Sequence, residues 1–376
     1  MELLPVHTPE GFDPLTLLTP LAAALAGEGP AVAPHSSADQ RFDGELPSDG
    51  IAAVLSTSGS TGTPKQTMLS VDALSSSAMG TALALKAEGQ WLLALPVHFV
   101  AGFQVLVRSL YASTRPWVMD LGGGFTPEAF TDAAAELTDR VRFTSLVPTQ
   151  LHRLLSDPAP DTLRLLRRFD AILLGGAPAG ARLRTLVRSH DLRIIETYGM
   201  SETSGGCVYD GVPLEGVDLR SVEGRLSIGG TVLADGYLNA PQLTEEKFVL
   251  DAGKRWFVTD DAGDLALDGT VTVHGRLDDV INTGGLKVSA RRISDVIEAL
   301  PGVGQAIVLG IHSDEWGAAV AAAVVGEVDA DVIRQAVHIG LGAHAVPKTI
   351  VTLDALPLLA GGKPDRRTLR TLLEHA

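Results

Sequence analysis

Short apolar runs that end in glycine or hydroxyl residues recur through the first half of the chain. Ile51–Leu55 leads into a Ser/Thr/Gly cluster, Ala171–Leu174 leads into two glycines, and Arg193–Gly199 repeats the arrangement. Trp91–Leu95 is a further apolar run, which a proline ends. Each run predicts a buried strand that feeds a loop.

Segments of helical character separate these strands, at Val71–Leu85, Pro148–Leu155 and Ala181–Arg188. Alternating buried strands and helices predict an α/β architecture with a largely parallel sheet. Ligands bind such sheets at the carboxyl ends of the strands, which is where the glycine-bearing loops fall.

The pattern changes from about residue 220 to shorter alternating strands with turns. After Gly275-Arg276 a small segment reads as strand, helix, strand and helix. We therefore predict two domains, 1–277 and 278–376.

Composition narrows the class of protein. The formal charge of −15 over 376 residues argues against a nucleic-acid partner. Cys207 is the only cysteine, so no intrachain disulfide can form and a reducing compartment fits best. The N-terminus does not resemble a signal peptide, and the longest apolar stretch, Ala318–Val325, is far shorter than a membrane span. We expect a soluble, cytoplasmic protein.

The strongest chemical motif is the hydroxyl- and glycine-rich segment Ser56–Lys65. Its N–H groups, hydroxyls and single lysine can wrap a polyphosphate. It is not a Walker A loop, because Pro64 precedes the lysine and Gln66 follows it. A flexible linker is the alternative, which the strand before the segment and the helix expected after it disfavour.

A second cluster, Thr197–Thr203, places Tyr198 beside Gly199. An exposed aromatic ring beside a glycine turn can stack on a base, and the nearby Glu202 can hold Mg²⁺ on a phosphate. A plain Tyr-Gly turn with an N-capping serine has the same sequence, so this cluster alone leaves both interpretations open.

These two clusters and three later motifs resemble motifs of the adenylate-forming family of acyl- and aryl-CoA synthetases, and they follow the family's order along the chain. Ser56–Lys65 is similar to the family's phosphate loop, and Tyr198–Glu202 to its Tyr-Gly-x-Thr-Glu motif. Trp256–Asp261, Gly275–Asp279 and Gly361–Lys363 are similar to its ribose-binding, hinge and C-terminal lysine motifs. The resemblance implies a mixed α/β fold, with a large N-terminal domain and a small mobile C-terminal α+β domain. The sequence departs from the family pattern at Gln66, Asp260, Arg292, Ser294 and Leu359. None of these departures removes a group that the reaction needs.

The resemblance implies a two-step reaction. A carboxylate attacks the α-phosphate of Mg·ATP, and the thiol of coenzyme A then displaces AMP. The implied ATP contacts come from the phosphate loop, the adenine wall and the ribose site. The phosphate-loop residues are Thr57, Ser58, Gly59, Ser60, Thr61, Gly62, Thr63 and Lys65. The adenine-wall residues are Gly176, Ala177, Tyr198, Gly199 and Met200. The ribose-site residues are Asp261 and Arg276.

The resemblance also implies catalytic roles. Ser201 contacts the α-phosphate, Glu202 holds Mg²⁺, and Lys363 bridges the carboxylate and the α-phosphate. Asp278 is the hinge about which the C-terminal domain turns between the steps, so that Gly284-Gly285 replaces the lysine for the attack by CoA.

An acyl-substrate pocket is implied around His98, for which a satisfied histidine at a strand end is the alternative. Further expected pocket residues are Gly102, Thr149, Gln150 and Gly175.

A shortened N-terminal region and the segments Ser145–Leu151, Leu173–Pro178 and Gly199–Tyr209 are similar to the o-succinylbenzoate–CoA ligases within the family. This similarity implies o-succinylbenzoate as the carboxylate and menaquinone biosynthesis as the pathway. The alternatives are another aryl or short acyl acid, or a stand-alone adenylation enzyme that loads a carrier protein. A non-enzymatic nucleotide sensor is disfavoured, because both Glu202 and Lys363 are present. The family also implies a homodimer.

Overall fold

The computed structural model describes residues 2–42, 45–47, 50–57, 64–238, 240–313, 316–359, 362 and 364–376, and of Asp278 only the backbone. The strands are β1 (Leu3–His7), β2 (Ala31–His35), β3 (Ile51–Thr57), β4 (Lys65–Ser70), β5 (Gln90–Leu93), β6 (Trp117–Val118), β7 (Arg142–Leu146), β8 (Ala171–Leu174), β9 (Ile194–Met200), β10 (Gly205–Tyr209), β11 (Val212–Pro213), β12 (Val217–Val222), β13 (Arg225–Gly230), β14 (Gly236–Tyr237), β15 (Phe248–Asp251), β16 (Lys254–Leu265), β17 (Val271–Arg276), β18 (Val280–Thr283), β19 (Leu286–Ser289), β20 (Val303–Ser313), β21 (Gly317–Gly326) and β22 (Thr349–Leu353).

Helices connect many of these strands. They are α1 (Leu18–Leu25), α2 (Val71–Leu85), α3 (Val100–Tyr111), α4 (Pro127–Ala135), α5 (Pro148–Ser156), α6 (Pro160–Leu166), α7 (Ala181–Ser189), α8 (Pro241–Lys247), α9 (Ala290–Glu298), α10 (Ala330–Leu341) and α11 (Arg366–Glu374). Short 3₁₀ turns occur at Pro14–Leu17, Ser201–Thr203, Leu277–Asp279 and Ala343–Ala345. Among the described residues, no helix has the length and apolar character that crossing a bilayer requires.

The strands form four sheets. Their orders are β1-β2-β3-β4-β14; β11-β10-β9-β8-β7-β5-β6; β12-β13-β16-β15 with β17 beside β16; and β19-β18-β21-β20 with β22 beside β21. In the seven-stranded sheet the strands from β6 to β9 are parallel, whereas β10 and β11 are antiparallel. The predicted α/β architecture with a largely parallel central sheet is confirmed.

Both faces of the seven-stranded sheet are buried, as expected for parallel strands covered by helices. In β8, Leu173 packs into a core shared with α2, α3 and the neighbouring sheets. Ile172 and Leu174, which point the opposite way, pack beneath α4, α5, α6 and α7. The central sheet therefore supplies the rigid layer from which the glycine-bearing loops emerge.

Local sequence signals fix several elements closely. Helix α2 begins at Val71 because the side chain of Ser70 accepts a hydrogen bond from the Ala73 N–H, at 3.4 Å. The predicted helix Val71–Leu85 is confirmed as α2. The strand β4, which lies between the phosphate segment and this helix, was not predicted. β4 pairs antiparallel with β3, with Thr57 opposite Lys65, and this partner lies outside any local window.

The C-terminal part is richer in strands than expected. Its order is two strands, a helix, two strands, a helix, a strand and a helix, and not the single alternation that we predicted. The sheet is buried on both faces, with α9 and α10 on one side and α11 on the other. Small residues in β21, such as Ala321 and Ala322, give a weak alternating pattern that hides the extra strands.

Contacts from the C-terminal sheet and its helices reach the rest of the chain at α7 and α5. Arg182 of α7 donates to the Val303 carbonyl at 2.8 Å, and Arg291 of α9 donates to the Ala179 carbonyl at 3.3 Å. β17 ends at Arg276 and β18 begins at Val280, so the polypeptide passes from one sheet to the other through the 3₁₀ turn between them.

We predict that Phe143→Ala lowers the free energy of unfolding by about 3–5 kcal/mol, the usual cost of emptying a large aromatic site in a core. Phe143 lies in β7, is 2% exposed and packs 5.1 Å from the ring of Trp91. Urea unfolding followed by circular dichroism measures the change. Leu267→Ala, at a fully exposed side chain, is the control and should have almost no effect. A loss below about 1 kcal/mol for Phe143→Ala would contradict this description of the core.

Candidate active site

The Tyr-Gly cluster lies at the end of β9 and in the 3₁₀ turn that follows it. Gly199 pairs with Gly206 of β10, and a Cβ atom added to Gly199 would lie 2.1 Å from the Gly205 carbonyl oxygen. Glycine is therefore required by the close approach of two strands, and the expected Tyr-Gly turn is corrected to a strand. Because the tyrosine belongs to that paired strand, its side chain is partly buried and not exposed as expected.

Tyr198 and Asp261 form one unit. The Tyr198 hydroxyl donates to the Asp261 Oδ2 at 2.7 Å. Burial, followed by the nearby Asp261 charge, raises the pKa of the Tyr198 phenol above its ordinary value, so the hydroxyl stays protonated. The Asp261 N–H donates to Thr259 Oγ1 at 3.0 Å, which fixes the backbone of the aspartate. The expected adenine and ribose residues thus lie side by side.

Arg276 faces the same place. It lies opposite Asp261 in the β16–β17 register, and its Nη2 is 3.8 Å from Asp260 Oδ2. Asp260 also accepts from Lys247 Nζ at 2.9 Å and from Arg225 Nη1 at 3.4 Å. The Asp260 carboxylate thus lies close to three cationic side chains, next to Asp261. Glu246 lies 3.7 Å from the same lysine, Lys247, so the cations of this cluster are matched by carboxylates.

The candidate adenine wall follows β8. Parallel pairing sets Leu174 opposite Glu196, and a Cβ atom on Gly175 would lie 2.6 Å from Thr197 Oγ1. Gly176 has a φ of +83°, a conformation that favours glycine. The turn from Gly175 to Ala177 therefore runs directly beside the strand that carries Tyr198.

Ser201 and Glu202 are both buried, with exposures of 9% and 8%. Glu202 Oε1 accepts from the Tyr237 hydroxyl at 2.8 Å. The ammonium group of Lys65, at the start of β4, lies 5.4 Å from the centre of the Tyr237 ring. The end of the phosphate segment and the expected metal-binding carboxylate therefore meet at one tyrosine.

Several expected residues lie outside the described part of the chain. They are Ser58, Gly59, Ser60, Thr61, Gly62, Thr63, Lys363 and the side chain of Asp278. Their neighbours are described: Thr57 and Lys65 pair across the two ends of the phosphate segment, and Gly362 precedes the expected lysine.

The segment at Gly362 lies against helix α5. Thr149 Oγ1 donates to the Gly362 carbonyl at 2.8 Å. Gln150 of the same helix donates from Nε2 to the Ala94 carbonyl at 2.9 Å, so its side chain joins α5 to the segment after β5. Two of the expected pocket residues thus connect the C-terminal segment to the central sheet.

His98 lies just before α3, where Gly102 lets the helix approach closely; a Cβ atom there would be 2.3 Å from the Pro96 carbonyl oxygen. His98 Nδ1 is 3.1 Å from Thr8 Oγ1, whereas its Nε2 is buried without a hydrogen-bond partner. The fully satisfied histidine of the alternative interpretation is therefore not what is found. Burial, reinforced by His35, lowers the pKa of His98 to about 4, so the ring is neutral near pH 7.

Gly284 and Gly285 form the two-residue turn between β18 and β19, with φ of +59° and +81°. Both angles are typical of the type I′ hairpin turn. The ring of Trp316 lies on Gly284, and the Gly284 N–H donates to the Trp316 carbonyl at 3.0 Å. In this arrangement it is Gly362 that accepts a hydrogen bond from helix α5, through Thr149.

Residues that sequence reasoning missed hold the site together. Tyr237 contacts Glu202, and Lys247 pairs with Asp260. No local motif marks these two residues, because each acts on a residue that is distant in sequence. Thr259, which fixes Asp261, lies two positions before it within the Trp256–Asp261 motif. The Gly236-Tyr237 dipeptide, which follows a turn, is a weak sequence signal for Tyr237.

The donor groups around Glu202 suit a divalent cation that the protein shares with substrate phosphates. Within the described residues, no group of three or more histidine, cysteine, aspartate or glutamate side chains is placed to hold a metal ion by itself. Mg²⁺ is usually bound by one or two carboxylates together with water and substrate phosphates. Glu202, next to the phosphate segment, fits such a shared site.

Comparison with known proteins identifies the family and the structural relatives of the chain. The AMP-binding enzyme family profile matches residues 15–238, and that of the AMP-binding enzyme C-terminal domain matches residues 293–363. A probable 2-succinylbenzoate–CoA ligase of Mycobacterium tuberculosis is 38% identical over 377 aligned residues, or 97% of each chain. ATP-bound MatB from Rhodopseudomonas palustris has a TM-score of 0.76 and 25% identity, over 99% of this chain and 79% of its own. The Bacillus subtilis o-succinylbenzoate CoA synthetase (MenE) in complex with the acyl-adenylate intermediate OSB-AMP has a TM-score of 0.73 and 24% identity, over 91% and 74%.

The buried His98 predicts a pH effect on stability. Its pKa is about 4 in the folded chain against an ordinary 6.5, so between these values the unfolded chain binds the extra proton. Stability is therefore lost as the pH falls from 6.5 towards 4, by at most about 3 kcal/mol. Urea unfolding of the wild type and of His98→Gln, at pH 7 and pH 4.5, measures this: the wild type should lose more stability. Equal losses would contradict the assigned environment of His98.

Proposed function

Because the chain belongs to the AMP-binding enzyme family, we propose that it is an ATP-dependent ligase that joins 2-succinylbenzoate to coenzyme A. The reaction proceeds through an acyl-adenylate and supplies menaquinone biosynthesis. The observation that carries the substrate is the similarity, over nearly the whole of both chains, to a protein named probable 2-succinylbenzoate–CoA ligase. The gathered nucleotide-site residues support the reaction type.

In the first step a carboxylate oxygen of the acid forms a bond to the α-phosphorus of ATP, and the bond to the pyrophosphate leaving group breaks. Both reactants are anions, so the site must offset their repulsion. Lys65 and the phosphate segment hold the β- and γ-phosphates, and Ser201 contacts the α-phosphate. Lys363 bridges the two reacting anions. The preceding residue, Gly362, is held by Thr149 in the first turn of α5.

The nucleoside end of ATP lies across β9 and β16. Tyr198 stacks on adenine, against the wall formed by Gly176 and Ala177. Asp261 accepts from the ribose hydroxyls, which suits a carboxylate with two acceptor oxygens. Arg276, held near Asp260, adds positive charge on the same side.

Glu202 is the residue that would hold Mg²⁺. When bound, the ion neutralises charge on the phosphates and on the departing pyrophosphate. The chain's own part is to present a buried carboxylate, already hydrogen-bonded on one oxygen by Tyr237, at the end of the phosphate segment.

In the second step the sulfur of CoA forms a bond to the acyl carbon, the bond from that carbon to AMP breaks, and the thiol proton is released. We propose that 278–376 turns as a unit on 1–277 between the steps, about Asp278. This rotation replaces the Lys363 segment by the Gly284-Gly285 turn. Gly102, Gln150, Gly175 and His98 belong to the acyl pocket in this proposal. We also propose a cytoplasmic homodimer, on the family resemblance and, for the location, on the free thiol of Cys207.

The proposal predicts a specific product. Purified protein with Mg·ATP, CoA and 2-succinylbenzoate should give a species at the mass of 2-succinylbenzoyl-CoA, with AMP and pyrophosphate, only when all components are present. A panel of benzoates and short fatty acids runs in parallel and should react far more slowly. Mass spectrometry measures the products.

Two variants control this experiment. Lys363→Ala should lose adenylate formation by about 10²–10³-fold, since a charge that contacts the developing transition state is removed. Lys254→Ala removes a lysine from an exposed ion pair with Asp218 and should change little. Faster turnover of another acid would refute the substrate, and absence of any adenylate would refute the reaction type.

A further inference from the structure

Glu202 makes a contact that the reaction scheme does not itself require. Its Oε1 accepts from the Tyr237 hydroxyl at 2.8 Å, and both side chains are buried, at 8% and 2% exposure. A buried carboxylate without a hydrogen bond is costly, and a phenol can donate only one. One oxygen of Glu202 is therefore committed to Tyr237, and Oε2 is the oxygen that this bond does not use.

The tyrosine is itself held from several sides. β14 pairs with β4, which sets Tyr237 opposite Thr67. The Tyr237 N–H donates to Thr244 Oγ1 at 2.9 Å, and its ring packs edge-on against Phe248, with centroids 5.7 Å apart. The position of the hydroxyl is thus fixed by strand pairing, a helix and an aromatic contact.

The same short segment also holds the backbone of Glu202. The Ala234 N–H donates to the Glu202 carbonyl at 2.9 Å. Arg255 donates to the Ala234 and Asp235 carbonyls, at 2.7 and 2.8 Å, so this segment is clamped by a guanidinium. Backbone and carboxylate of the glutamate are therefore oriented by one piece of chain.

Tyr237 also reaches the phosphate segment, because the Lys65 ammonium lies 5.4 Å from its ring centre. Such a contact between a cation and a ring is favourable. The tyrosine thus spans the two groups that, in the proposed function, meet the ATP phosphates.

We infer that Tyr237 is a positioning residue, which holds Glu202 by one oxygen so that the other faces the divalent cation on the ATP phosphates. This inference rests on the proposed function. Removal of a hydrogen bond behind a metal-binding carboxylate typically costs 10–100-fold in metal affinity.

Tyr237→Phe tests this inference, because it keeps the ring and removes only the hydroxyl. Isothermal titration calorimetry measures ATP affinity in Mg²⁺ and in EDTA, and AMP affinity. We expect a 10–100-fold loss of ATP affinity in Mg²⁺, with ATP affinity in EDTA and AMP affinity unchanged. Glu202→Gln, which removes the charge that the cation meets, should lose the Mg²⁺-dependent part of ATP binding as well.

Tyr209→Phe is the matched control. Tyr209 is also buried, at 5% exposure, and its hydroxyl lies 2.9 Å from Thr81 Oγ1 and 3.5 Å from Arg108 Nη2. It should leave all three affinities at wild-type values.

Three results would overturn the inference. They are wild-type Mg·ATP affinity in Tyr237→Phe, an equal loss of AMP affinity in that variant, and a wild-type protein that binds ATP no more tightly with Mg²⁺ than with EDTA. Failure of the proposed function is a separate result, because it is measured from the reaction products. If the protein binds Mg·ATP but forms no acyl-adenylate, the binding affinities of Tyr237→Phe still test whether Tyr237 positions Glu202.

Discussion

The close pairing of β9 with β10 is the constraint on which the candidate site depends. Gly199 has no side chain because the Gly205 carbonyl occupies that space. The paired strands then reverse through a tight turn in which Ser204 adopts a φ of +54°. A non-glycine residue in this conformation costs about 1–3 kcal/mol. Hydrogen bonds offset that cost: the Ser204 carbonyl accepts from Ser77 and Gln104, and its hydroxyl donates to Val232.

This turn sets the electrostatics of the site. Tyr198 precedes the turn and Glu202 lies within it, so the side chains proposed to meet a base and a cation come from one short stretch. Their partners come from other strands: Asp261 from β16 and Tyr237 from β14. Three sheets therefore meet around the candidate nucleotide site, and its geometry follows from how they pack.

The sequence alone predicted the elements that are encoded by local residue patterns. The predicted helical segment Val71–Leu85 is found as α2, and β8 is found at the apolar run before two glycines. Sequence reasoning failed for β4, whose strand character comes from pairing with β3 and β14. The interpretation of Tyr198-Gly199 as a turn failed for the same reason, because the need for glycine arises from a partner strand. The bond from Tyr237 to Glu202 joins residues 35 positions apart, and no pattern of residue types encodes it.

The central claim is that this site joins a carboxylate to the α-phosphate of ATP. Exchange of radiolabelled pyrophosphate into ATP, with Mg²⁺ and 2-succinylbenzoate but without CoA, tests it most directly, since exchange requires reversible formation of the adenylate. We predict exchange that depends on the acid and that vanishes without Mg²⁺. Absence of exchange with 2-succinylbenzoate and with every other carboxylate, in protein that still binds ATP, would contradict the account.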